Sequence, residues 1–236
     1  MNRRVVVITG AAGGIGERTV ARFRSLGDEV IGLDVADGFD VRDRTGCRRV
    51  TADIIAAHGR IDVLCNVAGV GAVGDVVVAN TSDWEDVFAV NVFGLAHMSA
   101  AVLPAMRSAR SGSIVNVCSV AASVGLVERA VYSASKGAVL ALTRAMAADE
   151  IAHGVRVNCV SPGTVSSPWV ERLAAATPEP EVTMGNLRRR QPLGRLVTCD
   201  EVADAIAYLA APSTFTTGAD FLLDGGITSV RIVEQS

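Results

Sequence analysis

Residues 9–16 read TGAAGGIG and stand directly behind the apolar run VVVI at 5–8. The run reads as a short buried strand, and half of the eight residues after it are glycine. Glycine admits positive φ and lets a ligand approach the backbone closely. Helical spacing begins near Ile15, so the free N–H groups and positive end of a helix point back at the turn. Strand, bare turn and helix N-terminus together make a seat for a phosphate. A ligand-free tight turn asks for the same glycines, and both readings stand at this point. Gly10, Gly14 and Gly16 do not have GxGxxG spacing, and no Lys-Ser or Lys-Thr pair follows, which removes a P-loop.

Working outward, strand and helix patterns alternate along the chain. Strands are predicted at 4–9, 29–34, 61–66, 113–119, 155–161 and 219–224, and helices over 15–26, 43–58, 82–108, 131–152 and 200–210. Near-continuous apolar strands fit a parallel sheet buried on both faces. Alternating β and α predicts a doubly wound α/β sheet between two helical layers. Ser82 with Glu85, and Thr198 with Glu201, have capping-box spacing. No linker or repeat divides the 236 residues, which read as one domain. The stretch 164–197, with Pro168, Pro178 and Pro192, reads as an excursion from the fold that lids a substrate.

Composition excludes several classes. Half the residues are apolar, a fifth are charged and the formal charge is −3. The basic residues are scattered, so a nucleic-acid footprint is missing. The five cysteines form no CxxC or Cys/His cluster, which leaves neither a zinc site nor a disulfide framework, and no metal is expected. Cys65 and Cys118 lie in strand-like runs as small hydrophobes. The opening apolar run is too short for a signal peptide or a membrane span. A cytoplasmic protein with no membrane partner is expected.

Two further features carry chemistry. Asp34 ends the second strand eighteen residues after Gly16. A carboxylate there accepts hydrogen bonds from both hydroxyls of an adenosine ribose and repels a 2′-phosphate, which favours NAD over NADP; a turn-capping aspartate is the plainer alternative. In YSASK at 132–136, Tyr132 and Lys136 share a helix face. An ammonium beside a phenol favours the phenolate, which can take a proton from an alcohol or return it to a ketone. Ser119 closes the strand at 113–119, whose carboxyl end faces the ligand crevice of a parallel sheet.

Taken in order, TGAAGGIG, DV at 40–41, NVAG at 66–69, VNVFG at 90–94, Ser119, YSASK, VNCVSPGTV at 157–165 and TGADFLLDGG at 217–226 resemble the short, single-domain branch of the short-chain dehydrogenase/reductase family. The resemblance covers nearly the whole chain. It implies a Rossmann-like, three-layer αβα fold with a seven-stranded parallel sheet, and hydride transfer with a nicotinamide cofactor. By position, it makes Tyr132 the acid/base and Lys136 its partner, which also holds the nicotinamide ribose. Ser119 becomes the substrate-oxygen ligand, and Asn91 the residue that distorts its helix and holds a relay water.

On the cofactor side, the resemblance assigns the glycine turn with Ile15, Asp34, and adenine contacts at Asp40 and Val41. Asn66, Ala68 and Gly69 would form the wall beside the adenosine ribose, and Pro162, Gly163 and Val165 the nicotinamide-side loop. Ser167 would replace the usual threonine at the carboxamide. Two departures stand out. Val67 replaces an amide, with the backbone turn expected to survive, and only five residues separate Asp34 from Asp40 where most relatives fit a helix.

The expected activity is NAD-dependent interconversion of a secondary alcohol and a ketone. A sugar or hydroxy-acid dehydrogenase, an NADPH-dependent 3-oxoacyl-type ketoreductase and a catalytically silent NAD sensor remain alternatives. Arg129 or Arg188 could bind a substrate anion or be solvated surface charges, and Trp169 reads as lid packing. A homotetramer, or a homodimer through the helices at 82–108 and 131–152, is the family expectation.

Overall fold

The computed structural model describes residues 3–231. The first strand, β1 (Val5–Thr9), runs through the glycine turn into α1 (Gly14–Ser25). After β2 (Glu29–Leu33) come α2 (Arg44–His58) and β3 (Val63–Asn66). One continuous rod follows: α3 (Thr81–Phe88), a π-helical segment (Ala89–Gly94) and α4 (Leu95–Ala109). Next are β4 (Gly112–Val117), α5 (Ala130–Glu150) and β5 (Val155–Pro162). The excursion is bracketed by β6 (Val165–Ser166) and β7 (Val197–Thr198) and holds α6 (Pro168–Ala175) and α7 (Pro180–Arg189). The chain then returns through α8 (Cys199–Ala210) and β8 (Asp220–Leu223).

The main sheet is parallel throughout, in the order β2-β1-β3-β4-β5-β8. Successive strand residues point to opposite faces. Val5, Val7, Leu64, Ile114 and Val157 pack with α2, α4 and α5 residues on one side. Val6, Ile8, Cys65, Val115 and Val160 pack with α1 and α8 residues on the other. This is the expected αβα sandwich, with helices on both faces because neither face is polar.

Among the described residues the main sheet has six strands, and the seventh implied by the resemblance is not among them. Residues 35–39 hold only a 3₁₀ turn, Val35–Asp37. A parallel crossover takes about a dozen residues or more, so no further strand can form beyond β2, which becomes the sheet edge. A second correction concerns α3. Its capping box is Asn80 with Asp83, not Ser82 with Glu85. Asn80 Oδ1 accepts from Asp83 N at 3.1 Å and Asp83 Oδ2 from Asn80 N at 3.0 Å, while Ser82 donates to Asn80. The box at Thr198 and Glu201 forms as expected.

The rod from Thr81 to Ala109 is long and apolar enough by composition to cross a bilayer. Leu95, Met98, Val102 and Met106 instead pack it into the core of the sheet.

Candidate active site

The strand order reverses between β1 and β3, and the loops leaving the carboxyl ends of β1 to β5 open on that edge, the crevice where doubly wound sheets bind ligands. Gly10 has φ +68°, and a Cβ there would lie 2.7 Å from Ala68 Cα; a Cβ on Gly16 would overlap the Gly10 carbonyl oxygen. Chain packing therefore requires both glycines. Gly13 differs, because nothing lies within 4 Å of the space its Cβ would fill. It is also the N-cap of α1, which begins without a side-chain cap. By contrast, α2, α3, α6 and α8 are capped by Asp43, Asn80, Ser167 and Thr198. A bare helix start beneath open space fits a diphosphate, with Gly14, Ile15 and Gly16 in the first turn.

The loop after β3 is held by a residue the sequence reading missed. Thr9 Oγ1, buried at the end of β1, accepts from Val67 N at 3.1 Å and Ala68 N at 3.2 Å. A strand-end threonine before the first glycine was the available signal. The backbone turn is kept with Val67 in place. The Asn66 side chain does not reach the crevice: it is buried, with Nδ2 donating to Asn116 Oδ1 at 2.9 Å and Ser99 Oγ at 3.2 Å. Its amide clamps β3 to β4 and α4, so Asn66 can serve a cofactor wall only through its backbone. Ala68 lies on Gly10, and Gly69 lies beneath Asn91 and Lys136.

At the adenosine end, Asp34 Oδ2 accepts from Ala12 N at 2.9 Å and Oδ1 from Ala36 N at 3.0 Å. The carboxylate thus ties the glycine turn to the end of β2 as well as capping its own turn. Asp40 is occupied by Arg42, which donates from its backbone N and its guanidinium. That contact holds the Asp40 carboxyl below the usual range. Val41 is buried against Gly94, and its carbonyl lies 3.1 Å from His97 Nδ1.

The catalytic candidates meet at the ends of β4 and α5. Ser119 is buried and its Oγ accepts from Ala121 N at 3.2 Å, which leaves its proton free to donate. Lys136 is 5 % exposed, its Nζ donates to Val117 O at 2.8 Å, and the ammonium lies 5.7 Å from the Tyr132 ring centroid. Asn91 sits in the π segment at 2 % exposure. It accepts from Val70 N at 2.8 Å and donates to Val70 O at 2.9 Å and to Ser135 Oγ at 3.0 Å. Ser135 in turn donates to Tyr132 O at 2.8 Å. The extra residue of a π turn is what carries Asn91 inward to these partners. Ser135 is a second residue missed from sequence, although it lies one turn beyond Tyr132 on the same helix.

The thiols behave differently from one another. Burial pushes the Cys65 thiol up. At Cys118 the neighbouring Cys159 and the Lys136 charge act against burial and lower the thiol. Cys118 packs in the core as the small hydrophobe expected, its Sγ donating to Lys136 O at 3.3 Å.

On the nicotinamide side, Gly163 donates to Leu223 O at 3.0 Å from the turn after Pro162, and Val165 pairs with Val197. Ser167 caps α6, its Oγ accepting from Val170 N at 3.4 Å, and its Cβ lies 3.4 Å from the space a Cβ on Gly14 would fill. The excursion thus begins against the glycine turn. Arg188 is exposed and lines a cavity of about 540 Å³ between α6 and α7 with Glu171 and Glu181. Arg129 is half-buried and donates from Nη1 to Glu128 O at 3.0 Å; burial, then the Arg190 charge, lowers its guanidinium from the usual value, while the Glu128 charge acts the other way. Among the described residues neither Arg129 nor Arg190 forms an ion pair.

Residues 10–228 match the family described as Enoyl-(Acyl carrier protein) reductase. A relative in Danio rerio, dehydrogenase/reductase SDR family member 6, is 36 % identical over 96 % of this chain and 98 % of its own length. The chain belongs to the short-chain dehydrogenase/reductase family. It is an oxidoreductase of alcohols and ketones, and the family works with a nicotinamide cofactor. A second relative, 2-keto-3-deoxy-L-fuconate dehydrogenase of Xanthomonas campestris, is 36 % identical over 93 % of this chain and 78 % of its own.

Two solved structures extend the likeness. Ligand-free aldohexose dehydrogenase of Thermoplasma acidophilum has TM-score 0.93 and 31 % identity, covering 100 % of this chain and 98 % of that one. ElxO with NADP bound has TM-score 0.91 and 25 % identity, covering 97 % and 100 %.

Proposed function

We propose that the protein is an NAD-dependent dehydrogenase of small secondary alcohols that carry an anionic group, such as hydroxy acids or sugar acids, and of the matching oxo acids. The observation that carries this reading is Arg129, half-buried beside the catalytic helix and without an ion pair among the described residues, where the Arg190 charge acts against it and the Glu128 charge in its favour. Burial of a guanidinium is costly without an anion, and the Glu128 charge offsets that cost and the Arg190 repulsion only in part, which leaves a role for a substrate anion. Gly74 N donates to Glu128 O at 2.9 Å and Ala130 N to Gly74 O at 3.2 Å, which fixes the backbone on both sides of Arg129. A relative named for a keto-deoxy sugar acid supports the same substrate class.

The bound nicotinamide dinucleotide would supply the hydride acceptor. Gly14 to Gly16 would hold its diphosphate and Asp34 its ribose. NAD is favoured because Asp34 would oppose a 2′-phosphate and neither Val35 nor Gly13 offers a cation to it. The relative solved with NADP gives the opposite preference its standing as a second reading. Ser119 donates to the substrate oxygen, and Tyr132 takes the hydroxyl proton as hydride leaves the carbon. Lys136 carries positive charge beside the phenol. Asn91 Oδ1 and Lys136 Nζ lie 3.3 and 3.6 Å from one point above Gly69, a gap that a water can bridge to lead the proton outward. The segment 164–197 acts as the lid, the protein works as a homotetramer, and its five free cysteines suit a reducing cytoplasm.

The test is reduction by NADH of oxo acids of four to six carbons, each paired with the uncharged ketone of similar shape, such as 4-oxopentanoate against 5-methyl-2-hexanone. Charge-assisted hydrogen bonds of about 1.5–3 kcal/mol predict a preference for the acid of about 10–100-fold in kcat/KM. Arg129→Ala with Arg190→Ala should erase that preference and leave the ketone rate in place. Equal handling of each pair by the wild type would defeat the anionic reading.

A further inference from the structure

Trp169 was expected to be lid packing, but its place in the structure is more specific. It is the second residue of α6, whose first turn is capped by Ser167 and begins with Pro168. Three residues before it, Ser166 is pinned in the β6–β7 pair opposite Thr198. The indole therefore projects from an anchored helix start, not from a free loop. It is received at Gly71, in the loop leaving β3. A Cβ on Gly71 would lie 2.7 Å from Cζ2 and 3.1 Å from Cη2 of Trp169, and 3.7 Å from Cδ2 of Tyr132. Indole and phenol thus converge on one bare backbone position, which has room for the indole because it carries no side chain. Trp169 stays 41 % exposed, so packing against the loop leaves part of its surface open.

We propose that Trp169 is a specificity-determining residue that walls the cleft beside Tyr132 and limits the substituent on the reacting carbon to a small aliphatic group. A substrate oxygen held by Tyr132 places its carbon next to the phenol, and one of that carbon's two arms then meets the indole. A methyl or hydroxymethyl arm lies against an aromatic surface through C–H contacts; an aryl arm collides with it. The other arm runs to Arg129 and Arg190. This inference rests on the oxidoreductase reading above and adds the size limit to its substrate class.

The experiment compares 4-oxopentanoate with 4-oxo-4-phenylbutanoate, which share one charged arm and differ only in methyl against phenyl on the reacting carbon. NADH oxidation is followed for wild type, Trp169→Ala, Trp169→Phe and Gly71→Ala, with NADH affinity and melting temperature measured on each. The ratio of kcat/KM for phenyl over methyl should rise at least about ten-fold in Trp169→Ala, the range expected when a pocket wall is removed. Trp169→Phe should fall between, and NADH affinity should stay within about two-fold. Gly71→Ala, which forces the indole from its seat, should also change the ratio, so the test survives a poorly folded Trp169→Ala. An unchanged ratio in both would overturn the role of Trp169 while leaving the charge preference intact. No turnover of either ketone by the wild type would overturn both readings.

Discussion

Replacing Asn91 with alanine probes the link between helix distortion and chemistry. The side chain is 2 % exposed and makes three hydrogen bonds, to Val70 N, Val70 O and Ser135 Oγ. Removing it leaves three groups without their partner. At about 1 kcal/mol each, the low end of the range because water can enter so polar a gap, the loss is about 3 kcal/mol. For a chain of this size each kcal/mol shifts the melting temperature by about 2–4 °C, so a fall of about 6–12 °C is expected. The loop after β3 would be freed from α5, and with it the support of Gly71 beside Tyr132. Melting followed by circular dichroism gives the first quantity. Steady-state kinetics gives the second, with kcat down at least about ten-fold through the lost positioning. A variant that melts within about 2 °C of wild type and keeps its kcat would refute the tie between the π segment and the phenol.

Two further outcomes are expected. Asp34→Ser combined with Val35→Arg should move cofactor preference toward NADP by about 10–100-fold, because it removes a like charge and adds a cation; titration with both dinucleotides checks it. Arg107 holds the Glu150 carboxyl below its ordinary value of 4.5 through a bidentate contact at 2.8 and 2.5 Å. A lowered folded value means that this contribution is complete above about pH 4.5 and fades as pH falls through the folded value. Glu150→Gln should therefore melt earlier than wild type near neutral pH, with the difference closing in acid.

Much of the fold was legible because parallel strands buried on both faces leave little room for polar residues. All six strand runs became strands of the sheet. The seventh came only from the resemblance, and the short span between Asp34 and Asp40 already argued against it. Tyr132, Lys136 and Ser119 could be proposed as neighbours because strand ends and helix spacing place them locally. The contacts of Asn91 could not, since its partners Val70 and Ser135 are remote in sequence. The capping box was misplaced because Asn80-Asp83 and Ser82-Glu85 have the same spacing, and only the observed backbone chooses. Pro168 and Pro180, which suggest a loop, sit in the first turns of α6 and α7, where proline fits.

The most direct measurement is the rate of NADH oxidation with the preferred oxo acid by Tyr132→Phe against wild type, with NADH affinity determined on both. Loss of the acid/base group predicts a fall of about 10²–10⁴-fold in kcat with affinity nearly unchanged. A phenylalanine variant that keeps kcat within about two-fold of an active wild type would show that the proton passes through some other group.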